Sequence, residues 1–225
     1  MRPLLSSLTE RIPPIDAMAP ARLETALFAA GSFQDTEARF GFIGGGWRTS
    51  VGDAGGTFPT PCRGNEGDHL EAVTVEYSPS TISYGQLLEL FMCWYCGTPP
   101  DASPRRAPCI FVRDARERRL AQAAADRSVL CGRSYPKARI VSVKPFHPAE
   151  AWCQKYYLRR VPWLFEELMA LYGEEEGLLR STSATRLNAF LGLPAVPSPR
   201  CSLPEDIDLY GLTPYAVQAL QHLGI

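Results

Sequence analysis

The sequence predicts an α+β protein: a two-layer fold with a mixed, largely antiparallel sheet flanked by helices, plus a C-terminal tail. Two observations lead there. Strand-like segments come first and close together, as hairpins do, and later strands are separated by segments of helical period. With 225 residues, 45% of them hydrophobic, the chain can bury one sizeable core and still carry an appended tail.

Residues 1–20 are Pro-rich and aperiodic and read as a loose leader, 21–173 as the main domain and 174–225 as the tail. The apolar run Thr25-Ala26-Leu27-Phe28-Ala29 is a buried strand that turns through Gly31 into a helix over about 33–42. Gly44-Gly45-Gly46 turns the chain into a strand over Trp47–Val51, and Gly52-Asp53-Ala54-Gly55-Gly56 reads as a loop. Leu70–Tyr77 alternates with Val73, Val75 and Tyr77 on one face, a strand pattern. Ser83 caps a helix from Tyr84 to about Tyr95, with Leu87, Leu88, Phe91 and Met92 at helical spacing.

Cys109–Val112 is a strand, Ala115 to about Val129 a charged amphipathic helix and Ala138–Val143 another strand. Pro148 opens a helix over Ala149–Arg159, and Pro162 opens one to about Tyr172. In the tail, Glu174-Glu175-Glu176 reads as a solvated turn, Ser183–Leu191 as a short helix and Pro194–Pro204 as a linker. Thr213-Pro214 opens a last helix, Tyr215–Leu223, whose Ala216, Ala219, Leu220 and Leu223 can dock on the domain.

With 23 basic and 24 acidic residues, no overall electrostatic case exists for nucleic acid or an anionic membrane. No apolar run approaches the roughly 20 residues that span a bilayer. The N-terminus lacks a continuous apolar core and carries Glu10 and Asp16, against a secretory signal. The odd cysteine count (7) and that N-terminus favour reduced thiols in a cytoplasmic compartment, with an organelle not excluded.

The chemistry-bearing feature is Gly31-Ser32-Phe33-Gln34-Asp35, at the turn from strand into helix. A side chain there meets unpaired amides and the positive end of the helix dipole, which would activate a thiol. This chain presents a hydroxyl. Several further segments matter beside it: Val51-Gly52-Asp53-Ala54-Gly55-Gly56, Cys62-Arg63-Gly64, and Gly67-Asp68-His69-Leu70-Glu71-Ala72-Val73. Downstream come Ser78-Pro79-Ser80-Thr81-Ile82-Ser83-Tyr84 and Pro145-Phe146-His147-Pro148-Ala149-Glu150-Ala151-Trp152-Cys153-Gln154-Lys155-Tyr156. In this order they resemble the signature segments of the A-type peptide-methionine (S)-S-oxide reductases (MsrA), across roughly residues 23–160.

That resemblance implies an MsrA-like fold and reduction of protein or free methionine S-sulfoxide, with no cofactor or metal and a thioredoxin-like reductant as partner only if the protein is active. It places Ser32 at the nucleophile position and Glu71 at the acid position. It places Phe33, Gln34, Asp53 and Arg106 at substrate-binding positions, where the family carries an aromatic pair and two tyrosines. Phe33 and Glu71 keep the family's residue types; Ser32, Gln34, Asp53 and Arg106 do not. In that reaction the nucleophile ends as a sulfenic acid and is reset by a second thiol, a state closed to a serine oxygen. The expectation is an impaired enzyme.

Other readings stay open. The protein is a non-catalytic binding or regulatory protein on the same fold, taking a methionine-sulfoxide peptide or another small ligand, or a thiol-dependent reductase using Cys93, Cys96 or Cys201. Cys93 and Cys96 have C-x-x-C spacing, but at a helix end they read first as packing residues. Cys62 reads as structural, Cys153 as buried, and Cys109 and Cys131 as packing. Ser32, His69 and Glu71 admit a hydrolase reading, although G-x-S-x-G is absent. A carboxylate at Glu71 bonded to Ser32 and the helix amides needs no activity. Arg105 and Arg106 read as a solvated loop before an anion site, and Trp94, Trp152 and Trp163 as core.

Overall fold

Strands β1 (Glu24–Ala29), β2 (Gly46–Ala54), β3 (Leu70–Tyr77), β4 (Cys109–Val112), β5 (Arg139–Ser142) and β6 (Phe146–Pro148) form one six-stranded sheet. Their order is β5-β4-β1-β3-β2-β6 in the computed structural model, which describes residues 12–62, 64–95, 103–130, 138–192 and 204–222. All neighbours are antiparallel except β4 and β5, joined in parallel through helix α4 (Ala115–Leu130). The sheet is thus mixed and largely antiparallel, as the spacing of strands and helices predicts.

Alternation decides the two faces. Ala26, Phe28, Val51, Val73, Val75, Tyr77, Ile110 and Val112 meet helices α2 (Phe33–Gly41), α3 (Tyr84–Tyr95) and α4 in the main core. Leu27, Ala29, Ala54, Leu70, Ala72, Cys109 and Phe111 form a smaller cluster on the opposite face. The α3 residues Leu87, Leu88, Phe91 and Met92 are all buried, as their spacing predicts. Ser83 and Gln86 start that helix reciprocally: the Gln86 N–H reaches Ser83 Oγ at 3.3 Å and the Ser83 N–H reaches Gln86 Oε1 at 2.9 Å.

A second core lies at the C-terminal side. It gathers α1 (Pro14–Ala17), α5 (Tyr156–Arg159), α6 (Pro162–Tyr172), α7 (Glu175–Leu179), α8 (Thr182–Gly192) and α9 (Pro214–Gln221). Asp16 in α1 closes the start of α8, its Oδ1 accepting from the Thr182 amide at 2.6 Å and the Ser183 amide at 3.3 Å. Thr213 caps α9 by accepting from the Ala216 amide, and Ala216 and Leu220 are buried.

Several expectations give way here. The loop predicted over residues 52–56 is strand as far as Ala54, because β6 pairs along its outer edge. Gly52 permits that pairing, since a Cβ there would come within 2.3 Å of the His147 carbonyl oxygen. The helix predicted over Ala149–Arg159 is instead strand β6, a 3-10 turn over Ala151–Cys153 and the short α5. The break lies at Lys155, whose φ of 53° is left-handed. Gln154 is drawn off the helical path by β2: its amide donates to the Val51 carbonyl at 2.7 Å and accepts from the Val51 N–H at 2.9 Å.

Glu174–Glu176 does not form a free turn. Glu175 and Glu176 open α7, where acidic residues suit the helix dipole and Leu178 anchors the element in the second core. Trp152 and Trp163 are exposed rather than core, and Trp94 is partly buried, edge-on to Phe40. Cys93 and Cys62 are exposed, whereas Cys109 and Cys153 are buried. The solvent-facing side of α3 outvotes the packing tendency of Cys93. Cys96, Cys131, Cys201 and linker residues 193–203 lie outside the described residues.

The two cores meet around one buried ion pair. Lys155 and Glu37 both have fully inaccessible side chains, and Nζ lies 2.7 Å from Glu37 Oε1. Nζ also donates to the Thr49 carbonyl at 2.6 Å and to Thr49 Oγ1 at 3.2 Å. The Asn188 amide of α8 reaches Glu37 Oε2 at 3.4 Å, while its Oδ1 accepts from the Tyr157 and Leu158 amides of α5.

Removing one member of a buried pair strands the other's charge. Lys155→Met is expected to lower unfolding stability by about 3–5 kcal/mol in urea denaturation, and Lys155→Met with Glu37→Leu by less.

Candidate active site

The site forms where β1 turns into α2, against the first residues of β3. Gly31 makes the turn with φ of +57°, and a Cβ there would meet nothing, so the requirement is conformational. Its N–H donates to the Arg106 carbonyl at 3.0 Å. That bond brings the 3-10 turn Pro104–Arg106 against the start of α2.

Ser32 occupies the N-cap position in extended geometry, yet its side chain makes no capping bond. Its hydroxyl donates instead to Gln34 Oε1 at 3.2 Å. The free amide of Phe33 is taken by Glu71, whose Oε2 lies 3.2 Å away. Glu71 therefore does the capping from across the sheet, placing a carboxylate at the positive end of α2. The bond anticipated between Glu71 and Ser32 is absent; the one to the helix amide is present.

The other Glu71 oxygen is also engaged. Oε1 accepts from Arg106 Nε at 3.1 Å. The neighbouring Arg105 donates through Nη2 to Asp53 Oδ1 at 2.6 Å and reaches Glu66 Oε1 at 3.5 Å. Arg105 and Arg106 are thus not a solvated loop. Two carboxylates, one from each of two adjacent strands, are drawn out of water here and take the guanidinium groups as counter-charges.

Asp53 lies directly opposite Glu71 across β2 and β3, and His147 on β6 lies opposite Asp53. The three form a cross-strand row at this end of the sheet. Burial raises the Asp53 carboxyl above its ordinary range, an effect that its bond to Arg105 offsets in part. Phe33 and Gln34 are half-buried beside Ser32. All six sequence-expected site residues, Ser32, Glu71, Phe33, Gln34, Asp53 and Arg106, therefore lie in one region, linked directly or through Arg105 and the β2–β3 pairing.

His69 is placed elsewhere in function. The Gly56 N–H donates to Nδ1 at 3.3 Å and Nε2 bonds the Phe58 carbonyl at 2.7 Å, so both ring nitrogens hold the loop after β2. No Ser32–His69–Glu71 relay is assembled, which removes the hydrolase reading. Asp68 completes the loop anchor by accepting from the Thr57 amide at 2.7 Å and the Phe58 amide at 3.2 Å. No group of His, Cys, Asp and Glu among the described residues could hold a metal ion.

Other thiols stand apart from this chemistry. Burial pushes the Cys109 thiol up to about 11, against nucleophilic use. Cys153 is buried, its Sγ 3.9 Å from Glu150 Oε2. Sequence reasoning missed Glu66, His147 and the pairing of both arginines. The sequence carried no signal for that pairing, because the carboxylates at 53, 66 and 71 need cations only once the fold removes water from them.

The chain matches the family described as Peptide methionine sulfoxide reductase over residues 24–170. It is 38% identical over 198 residues to Peptide methionine sulfoxide reductase A5 of Oryza sativa subsp. japonica, covering 85% of this chain and 77% of that relative. It is 40% identical over 174 residues to Peptide methionine sulfoxide reductase A5 of Arabidopsis thaliana, covering 75% and 68%. Among solved structures, methionine sulfoxide reductase A of Corynebacterium diphtheriae aligns with a TM-score of 0.53 at 20% identity, over 67% of this chain and 82% of that one, a likeness of fold.

One pH dependence follows for the loop beside the site. Asp68 sits at about 2 rather than 3.8, chiefly because the Thr57 amide bonds its charged form. A depressed acid stabilises the folded loop above its unfolded value and loses that contribution as pH falls from 3.8 to about 2. The Thr57 and Phe58 amide resonances are expected to shift across that window in an NMR titration, and Asp68→Asn to abolish the step.

Proposed function

The chain belongs to the peptide methionine sulfoxide reductase family, and on that premise we propose that it is a member in which the ordinary reductase reaction is silent. The observation that carries this reading is Ser32, the N-cap residue of α2, with its hydroxyl turned to Gln34 and its neighbour Glu71 capping the helix. In sulfoxide reduction the nucleophile must accept the substrate's oxygen. A cysteine sulfur does so by becoming a sulfenic acid, which a second thiol can reduce. Serine oxygen has no corresponding step, so no adjustment of its acidity supplies one.

The surroundings support the same reading. Where the resemblance leads one to expect neutral hydroxyls, the region holds Asp53 and Arg106, each tied into an ion pair. A methionine sulfoxide is a neutral dipole, and salt bridges do not offer it freely rotating hydrogen-bond donors. A thioredoxin-like reductant becomes a partner only if one of the remaining thiols carries oxygen. Cys62 and Cys93 are the exposed thiols among the described residues; neither is bonded to Glu71 or Ser32.

A second reading is retention of the site as a binding surface without turnover, for a methionine-sulfoxide peptide or another small ligand. It draws on the rigidity of the region, since the Arg105 and Arg106 pairs and the Gly31–Arg106 backbone bond fix its shape before any ligand arrives.

The test is formation of methionine from a methionine (S)-sulfoxide peptide by the unaltered protein with excess dithiothreitol. The expected yield equals the no-protein control. Turnover above it that disappears on thiol alkylation overturns the proposal and assigns the reaction to another cysteine.

A further inference from the structure

We infer that Arg106 is a second determinant of the silent state, independent of Ser32, and that it acts by holding Glu71 as a helix-capping anion. The inference rests on the reading that the Ser32 site does not turn over, and concerns what a thiol placed there would still lack.

Glu71 has two oxygens, and each faces an N–H. Phe33 N–H points at Oε2 from 3.2 Å, and Arg106 Nε–H points at Oε1 from 3.1 Å. Both neighbours are donors, and a guanidinium has no acceptor. A protonated carboxyl would have to give up at least one of these bonds to orient its own O–H. Both oxygens are thus engaged as acceptors, and neither is left to orient an O–H toward a group beside Ser32.

Arg106 is not free to leave. Its carbonyl accepts from the Gly31 amide at 3.0 Å, directly beside Ser32. The preceding Arg105 is moored on β2 through Asp53. The turn carrying both arginines is thus fastened to α2's entry by backbone and to β2 and β3 by side chains. Arg106 does not itself touch a reacting atom in this account. It is a positioning residue acting through Glu71.

A sulfoxide and a thiol give a thioether and a sulfenic acid: the sulfoxide S–O bond breaks and a new S–O bond forms on the cysteine. Sulfoxide sulfur is reduced by two electrons and cysteine sulfur is oxidised by two. A proton must reach the transferring oxygen as it leaves, and it ends on the sulfenic acid. A carboxyl able to carry that proton accelerates the transfer; a carboxylate clamped by Arg106 does not.

The experiment compares first-turnover rates of Ser32→Cys, Ser32→Cys/Arg106→Gln and Ser32→Cys/Arg106→Tyr. The substrate is a methionine (S)-sulfoxide peptide, without reductant, with methionine and a dimedone-trapped sulfenic acid as readouts. Circular dichroism melts check that each folds, and the two substitutions at 106 back one another up. The expected result is that at least one double variant is faster than Ser32→Cys by on the order of 10²-fold, the scale of acid catalysis.

Removing the Glu71 carboxyl separates proton delivery from mere loosening. The groups facing Glu71 are Arg106 from the 3-10 turn, the Phe33 amide of α2, Asp53 with its Arg105 from β2, and His147 beyond it on β6; His69 precedes it on its own segment. The faster double variant is expected to fall back to the Ser32→Cys rate when Glu71→Gln is added, because the added change removes the carboxyl and leaves the loosened turn. Equal rates across the folded variants, or a faster double variant that keeps its rate with Glu71→Gln, would overturn the inference. Turnover by the unaltered protein would instead sink the preceding proposal, a separate result from a separate sample.

Discussion

The Lys155–Glu37 pair is the interaction on which the rest of the structure depends. A charge is tolerated in a dry interior only when its hydrogen-bonding capacity is met. Here it is met on both sides. The ammonium donates to Glu37 Oε1, the Thr49 carbonyl and Thr49 Oγ1, three donors for three acceptors. The carboxylate accepts from Lys155 Nζ, Thr49 Oγ1, the Lys155 amide and Asn188. Those partners come from α2, β2, the left-handed residue before α5, and α8. One pair thereby fixes the helix that begins at the site to the sheet, and both to the C-terminal helices.

The second core is then more than an attached tail. Helix α8 lies along α2, buried through most of its length. Its Arg186 guanidinium donates to the carbonyls of Gly41, Ile43 and Gly46, at 3.2, 2.8 and 2.9 Å. These carbonyls end α2 and begin β2, so a cation there sits at the negative end of the helix and ties it to the strand that follows. Burial holds this guanidinium below its usual range. The opposite end of α2 receives Glu71 and, at Asp35 in the first turn, the Tyr157 hydroxyl. Negative groups at the start and a cation at the end match the helix dipole; Asp35 is the helix's own, whereas Glu71 and Arg186 come from other elements.

That arrangement bears on function through the identity of the cap. Ser32 is a residue type that commonly caps helices, yet its hydroxyl is turned aside and Glu71 caps from β3. The site is consistent as a piece of structure: helix dipole, carboxylate and guanidinium form an electrostatically satisfied chain from α2 through Glu71 to Arg106. That consistency is the structural support for the silent reading proposed above. Family membership is compatible with a serine at the N-cap of α2 because the fold rests on the buried pair and the sheet rather than on that side chain.

What the sequence determined by itself was local: strands from alternation, helices from apolar spacing and caps, and the glycine turn that delivers Ser32. It also determined that a hydroxyl stands there, because the oxidation chemistry of a side chain does not depend on its neighbours. Tertiary structure alone decided the partners. Lys155 and Glu37 are 118 positions apart, and a lysine in an apparent helix gives no sign that the backbone will turn left-handed to bury it. Nor could Arg105 and Arg106 be told from a solvated loop, since charge in a sequence is satisfied by water unless a fold removes the water. Here the sheet end removed it, by setting Asp53 beside Glu71 and leaving two carboxylates to be answered by the nearest cations.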